Sequence, residues 1–176
     1  MRIQISDFTD THFEEVLTMN NESIPHLNHL EAKDLELIRK QAVYFRVAHF
    51  NNNLAGFLIA MNQSASYESE NFKWFKQNYA HFVYIDRVTV PPGCRRHGVG
   101  RVLYADVQSY AEQNVPLLSC EVNLEPSNDI SLLFHGSIGF HEVGQLHHQS
   151  TKKHVSLLLK ELPAYEYAKN HYPGPA

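Results

Sequence analysis

The stretch TVPPGCRRHGVGRVLYADV, Thr89–Val107, decides how the rest of the chain is read. A run rich in β-branched residues stops at Pro91 and Pro92, which cannot donate to a strand ladder. Gly93, Arg95, Arg96, Gly98 and Gly100 then crowd glycine and positive charge into one bend. Beyond it Val99, Leu103, Val107 and Ala111 recur at helical spacing, so Gly98–Asn114 is expected to be a helix. A helix opening in this way exposes unpaired N–H groups and the positive end of its dipole. Such an end takes up phosphate readily. By itself the pattern is weak evidence for an anion site, and a structural turn with solvated arginines accounts for it more often. No GxxxxGK[ST] phosphate loop is present, nor a GxGxxG on a first strand with an acid about twenty residues on.

Outward from this bend, Phe82–Val90 reads as a long strand and PLLSCEVN (Pro116–Asn123) as a strand buried on both faces. Pro126–Ile138 reads as a helix closed by Gly139. FHEVGQLHH and HVSLLLKEL pair as a final hairpin. Upstream, RIQISDF is a first strand. Thr9 and Asp10 cap a helix carrying Phe13, Val16 and Leu17. Asn20–Pro25 breaks the pattern, and Leu30–Lys40 is a second helix. Ala42–Phe50 and Leu54–Met61 form a hairpin, because the asparagines between them tolerate positive φ. Asn62–Ala80 is a loop carrying a short helix. Helices and strands alternate between antiparallel pairs at the two ends. The expected class is a mixed-sheet α/β or α+β fold rather than a doubly wound sheet.

Length and composition set the outer limits. The 176 residues suit one domain over 1–162, followed by a loosely ordered tail, 163–176, carrying Pro163, Pro173 and Pro175. A net charge of −4 speaks against general nucleic-acid affinity. Cys94 and Cys120 lack CxxC spacing, so neither a disulfide framework nor a zinc ribbon is expected, and reduced thiols imply a cytoplasmic location. MRIQISDFTD has no apolar core of a signal peptide, and no apolar run approaches the roughly 20 residues that span a bilayer. The 12 histidines are scattered; His26/His29 and His147/His148 have no acid or thiol at ligand spacing, so no metal site is expected.

Two segments together carry a family resemblance. In VTVPPGCRRHGVGRVLYADV a strand ends in Val, Pro follows, and Arg95, Gly98 and Gly100 fill the fixed positions of Arg/Gln-x-x-Gly-x-Gly/Ala before a long helix. In EVNLEPSNDISLLFHGSIGF, Asn128, Ser131, His135 and Gly139-Phe140 fill the places of a second signature. Both, in this order, resemble the GNAT superfamily of acetyl-CoA-dependent N-acetyltransferases. The resemblance is specific from about Phe82 to Leu162, and YIDRVTV and CEVN are similar to a branch of small bacterial predicted acetyltransferases. Arg96 stands where many members have Gly, and His135 where many have Tyr.

The resemblance implies a GNAT-like, mostly antiparallel sheet with a splayed parallel strand pair. It implies acetyl-CoA as co-substrate, with its pantetheine arm on backbone groups of Val88, Thr89 and Val90. The diphosphate would meet N–H groups of Arg95, Arg96, His97, Gly98, Val99, Gly100 and Arg101, and Asn128 and His135 would also touch the coenzyme. The reaction expected is direct attack of a primary amine in a ternary complex. Asp86 or Glu121 would receive the amine proton through water, the alternative for Asp86 being a salt bridge to Arg87. His135 would protonate the departing thiolate, or else merely pack. Asn20, Asn21, Tyr67, Trp74, Tyr79 and Tyr84 would lie toward a small-molecule or peptide amine. The resemblance also implies pairing of two copies through the C-terminal strands. The alternative activity is a non-catalytic acetyl-CoA or CoA binder.

Overall fold

Hydrophobic periodicity carries most of the expected elements into the computed structural model, which describes residues 2–149 and 151–171. The elements run β1 (Ile3–Asp7), α1 (Phe13–Asn21), α2 (Ala32–Gln41), β2 (Tyr44–Phe50), β3 (Asn53–Asn62) and α3 (Glu70–Asn78). Then follow β4 (Val83–Thr89), α4 (Val99–Ala111), β5 (Leu117–Glu125), α5 (Asp129–Ser137), β6 (His141–His148), β7 (Lys153–Glu161) and α6 (Ala164–His171). The strands form one sheet in the order β1-β2-β3-β4-β5-β7-β6. β4 and β5 run parallel, whereas β1–β2, β2–β3, β5–β7 and β6–β7 are antiparallel. This is the mixed, mostly antiparallel sheet with one parallel pair that the resemblance implies.

The chain groups into two compact units. One comprises the residues up to Ser66 with Ile85–Val107; the other comprises Tyr67–Tyr84 and the residues from Gln108 onward.

In the first unit β1 pairs with β2 from Ile3↔Phe50 to Asp7↔Arg46. The β2–β3 hairpin closes through Asn51 (φ 52°) and Asn52 (φ 66°). Both residues of a two-residue turn need positive φ to match strand twist, and asparagine adopts it at low cost. Phe57, Leu58 and Ile59 are fully buried on β3, each stabilising by about 1.5–3 kcal/mol through burial. Asp106 on α4 accepts from Tyr44 Oη and Arg46 Nη1, both at 2.6 Å, tying α4 to β2. Burial, then the Asp106 carboxylate, push the Tyr44 phenol far above its ordinary range.

Gly56 on β3 has a packing reason. A Cβ there would stand 2.5 Å from the Thr89 carbonyl oxygen and 3.3 Å from Val90 Cγ2. Opposite it, the β2–β3 register shifts between Ala48 and His49. Gly56→Ala is therefore expected to destabilise the fold by about 1–3 kcal/mol, because backbone must move to admit the methyl group. A urea midpoint equal to that of the parent protein would refute this account of the glycine.

In the second unit β5 is buried on both faces, as its apolar run predicts. Its parallel register with β4 covers Val83↔Leu118 and Tyr84↔Ser119. β6 and β7 form the expected hairpin. The segment read as a loop with a short helix contains α3, whose N-cap Ser69 accepts from the Phe72 N–H. Phe72, Phe75, Phe82 and Tyr84 pack as one aromatic cluster, with ring centroids 5.5–6.2 Å apart.

The tail differs from expectation in its first part. Ala164–His171 form α6 directly after Pro163, whose missing N–H costs nothing before a first helical turn. Tyr167 stacks on His171 and Lys169 lies over the Tyr165 ring, which are helical spacings. Residues 172–176, with Pro173 and Pro175, lie outside the described residues.

Candidate active site

The bend that opens α4 is built as the sequence suggests. Pro91 ends the ladder, and a 3-10 turn over Pro92–Cys94 follows, in which Cys94 N–H donates to the Pro91 carbonyl. Arg95 N–H donates to the Pro92 carbonyl at 3.3 Å, so this one of the seven expected phosphate donors is already engaged. The first bond of α4 runs from Val102 N–H to the Gly98 carbonyl at 3.0 Å. Among the described residues, the N–H groups of Arg96, His97, Gly98, Val99 and Gly100 have no backbone partner. Five consecutive donors at a helix opening form a concentrated anion-attracting surface.

Two backbone conformations make the bend. Gly98 has φ +88°, and a Cβ there would meet only Ile3 Cδ1, at 3.8 Å. Arg96 has φ 64°, the left-handed region. That explains why glycine is usual at this place in the family pattern: an arginine can follow the same path at a backbone cost of about 1–2 kcal/mol. Arg96 thus takes the positive φ at this place and adds an exposed charge. Arg95, Arg96, His97 and Arg101 are exposed, whereas Val99 is buried and anchors the helix start. The His97 ring lies 5.0 Å from Phe50.

β4 leads into this bend. Val88 and Val90 are half-buried and Thr89 is buried. The Val90 carbonyl accepts from Arg95 Nε at 3.0 Å, so of the strand groups assigned to a pantetheine arm this one is taken. Asp86 lies on the same strand, but its Oδ2 accepts from Arg87 Nε at 2.6 Å, and the two side chains are only 5% and 6% exposed. The salt bridge weighed as the alternative for Asp86 is the arrangement found. Asn21, expected near an acceptor, instead spends its amide on the backbone of Leu30.

The second unit carries the other expected residues. Tyr84 is fully buried, and its Oη donates to Glu121 Oε2 at 2.7 Å. One expected acceptor residue thus supports one expected acid, across 37 residues of sequence. Glu121 is half-buried. Its charge also reaches Lys153, whose ammonium is held below the ordinary lysine range by burial, with Glu121 opposing. Beside Glu121, burial pushes the Cys120 thiol well up. Tyr67 packs edge-on against Phe72, and Trp74 packs edge-on against Phe75 with its ring over Gly144. Tyr67, Trp74, Tyr79 and Tyr84 therefore all belong to the aromatic cluster of this unit.

Asn128 caps α5 by accepting from the Ser131 N–H, as expected of an Asn at a helix start. At the other end Gly139 (φ +93°) closes the helix. Phe140 N–H donates to the His135 carbonyl, and Gly139 N–H to the Gly136 carbonyl. This paired closure needs a left-handed residue, hence glycine. It sets the Phe140 ring 5.4 Å from the His135 ring, edge to face. His135 is 3% exposed, and Nδ1 lies 2.7 Å from the Ser131 carbonyl oxygen. A carbonyl can only accept, so Nδ1 carries the proton. Burial lowers the His135 pKa, with the Ser131 bond opposing. In the neutral ring Nε2 is then a lone-pair acceptor. That tautomer fits proton acceptance or packing better than donation to a thiolate.

Some contacts were not legible in the sequence. Arg87 entered only as a possible partner of Asp86, and Asn20 only as an acceptor candidate; the fold joins them. A glycine inside LAGFLIAM was a signal of close backbone approach. His148, which has no acid near it in sequence, meets Glu70 Oε2 at 2.5 Å and Asn71 Oδ1 at 2.8 Å once α3 is in place.

The model of the acetyltransferase (GNAT) family matches residues 7–140. No curated protein sequence matches significantly. Several solved structures share the fold. Ard1 from Thermoplasma volcanium superposes with a TM-score of 0.72 at 20% identity, covering 91% of this chain and 97% of that one. Arabidopsis thaliana NAA60 in complex with a bisubstrate analogue gives 0.73 at 16% identity, covering 93% and 99%. Arabidopsis thaliana Naa50, in complex with the bisubstrate analogue CoA-Ac-MVNAL, gives 0.70 at 15% identity, covering 90% and 97%. At these identities the likeness concerns the fold.

Proposed function

The chain belongs to the acetyltransferase (GNAT) family and is an acyltransferase with acetyl-CoA as its co-substrate; on that premise we propose that it is an N-acetyltransferase acting on a primary amine by direct attack in a ternary complex. The observation that carries this reading is the run of N–H groups from Arg96 to Gly100 that opens α4 without backbone partners among the described residues. Those donors suit the diphosphate of the coenzyme, and the exposed arginines around them add attraction. Backbone groups of Val88 and Thr89 take the pantetheine arm in this reading, with the Val90 carbonyl joining only if Arg95 lets go of it. Asn128 and His135 keep the coenzyme contacts that the resemblance assigns.

The chemistry needs a neutral amine, since an alkylammonium with a pKa of about 10 has no lone pair to attack with. Of the two acids, Glu121 suits the proton-accepting role. Its carboxylate is half-buried and is oriented by the Tyr84 hydroxyl. Asp86 is nearly sealed against Arg87 and offers little surface to a water chain. The amine nitrogen bonds to the thioester carbonyl carbon, and the carbon–sulfur bond breaks. The amine proton passes through water to Glu121, and the thiolate, whose thiol pKa is about 8.5, takes a proton from water or leaves as the anion. The Val88 N–H is the donor assigned to the thioester oxygen. A cytoplasmic location and pairing through the C-terminal strands belong to the same reading, and sedimentation reads the second directly.

Thermal unfolding and thiol release test this together. Acetyl-CoA at 100 times its Kd adds about 2.7 kcal/mol to a specific binder. Thiol should appear with at least one primary amine. Stabilisation with no thiol release from any amine would instead favour a non-catalytic coenzyme binder, and no stabilisation at all would refute the site.

A further inference from the structure

Arg87 is buried on β4, yet its guanidinium serves two elements at once. Nε donates to Asp86 Oδ2, and Nη1 donates to Asn20 Oδ1 at 2.7 Å. Asn20 lies near the end of α1 and is wholly buried. Its Nδ2 donates to the Asn28 carbonyl and to Asn21 Oδ1, each at 3.0 Å. Asn21 then brackets Leu30, accepting from its N–H and donating to its carbonyl, both at 2.9 Å. Residues 22–31, between α1 and α2, belong to no helix or strand. This relay, with turn bonds such as Ser23 Oγ to the Met19 carbonyl, is what orders them. Ser23 Oγ also stands 3.4 Å from Thr89 Oγ1, so the segment rests on the end of β4.

A buried ion pair is a poor means of stabilising a core, because apolar residues of the same volume do as well or better. What an apolar residue cannot do is hold one strand and one irregular segment in a fixed relation through directed hydrogen bonds. We infer that Arg87 is a positioning residue. Acting through Asn20 and Asn21, it makes residues 22–31 a preformed wall beside Val88 and Thr89, against which the acceptor amine binds. The inference rests on the proposed function for what happens at Val88 and Thr89; the relay itself does not depend on it. A preformed wall lowers the ordering cost of binding, so its loss shows in KM rather than in the chemical step.

Two variants of the full chain separate the links. Arg87→Met removes both donors and keeps an apolar stem. Asn21→Ala removes the Leu30 bracket and the bond from Asn20 Nδ2 but leaves the Asp86–Arg87 pair whole, so it reports even where Arg87→Met fails to fold. Hydrogen exchange at the amides of residues 22–31 is expected to speed up by about tenfold or more, with β2 and β3 unchanged. Thiol release is followed with n-butylamine, spermidine and tri-alanine at saturating acetyl-CoA. For the fastest acceptor KM should rise about fivefold or more while kcat stays within about twofold. The Kd for CoA should also stay within about twofold. Arg87→Lys, which replaces the fork by one point donor, should recover part of the KM effect. A parent protein that neither binds CoA nor acetylates any of the three amines fails the proposed function, while the exchange data still decide the relay. Unchanged exchange in Asn21→Ala overturns the inference, as does faster exchange with an unaltered KM or a loss confined to kcat.

Discussion

Glu121→Gln is expected to lower kcat by about a hundredfold or more, with the Kd for CoA unaltered, because a positioned base contributes about 10²–10⁴-fold to proton transfer. Glutamine is close in shape and its amide oxygen still accepts from Tyr84 Oη, so the contact that orients residue 121 survives. What vanishes is the proton acceptor. The residual reaction should then climb with pH as free amine accumulates, up to an amine pKa of about 10. Steady-state thiol release from pH 6 to 10 checks both points. Parent-like turnover in Glu121→Gln would reduce Glu121 to a structural partner of Tyr84 and return the proton-accepting role to Asp86 or to water.

The second large effect concerns stability. Asp86→Ala leaves the buried Arg87 guanidinium without its carboxylate, and breaking a buried pair from one side costs about 3–5 kcal/mol. Asp86 and Arg87 are 5% and 6% exposed, so water does little to compensate the cation. Asn20 Oδ1 still accepts from Nη1, which leaves the relay to α1 in place. Urea unfolding of the variant should show the loss in the midpoint with an unchanged slope. A loss below about 1 kcal/mol would mean that the pair is solvated in solution and that Asp86 has room to act on an amine.

How far the sequence reached follows the range of the interactions involved. Asn51 and Asn52 announce a turn that needs positive φ at two positions, and Gly139 a helix end that needs it at one; both are local demands, and both are met. The bend at Arg95–Gly100 is equally local: prolines stop a strand, glycines bend, and an apolar stripe starts a helix. Over Thr89–Val107 the local pattern and the observed bend therefore agree. Arg96 was the exception, because a residue type alone does not reveal that its φ of 64° lets it stand in for glycine. The chemistry was less legible. Asp86 and Arg87 are neighbours, but strand alternation would send their side chains to opposite faces, so their contact at 2.6 Å is not what the strand pattern foretells. Tyr84 and Glu121 meet because β4 and β5 are parallel neighbours, a pairing no local pattern encodes. Asn20 lies 67 positions from Arg87, and Glu70 lies 78 from His148. The aromatics near α3 read more readily as core or lid than as recognition groups, because aromatic residues serve cores and sites alike; ring packing around Phe72 and Phe75 gathers them into one cluster, with Tyr84 buried and Tyr67, Trp74 and Tyr79 half-buried. The helix after Pro163 was missed because three prolines marked the tail as irregular, although none lies within 164–171.

The most direct test of the account is a crystal of the protein soaked with CoA, read at the opening of α4. The account predicts diphosphate oxygens within hydrogen-bonding distance, about 2.7–3.2 Å, of the N–H groups between Arg96 and Gly100, and a pantetheine arm running along Val88 and Thr89. A coenzyme bound elsewhere while those five N–H groups face only solvent would contradict it.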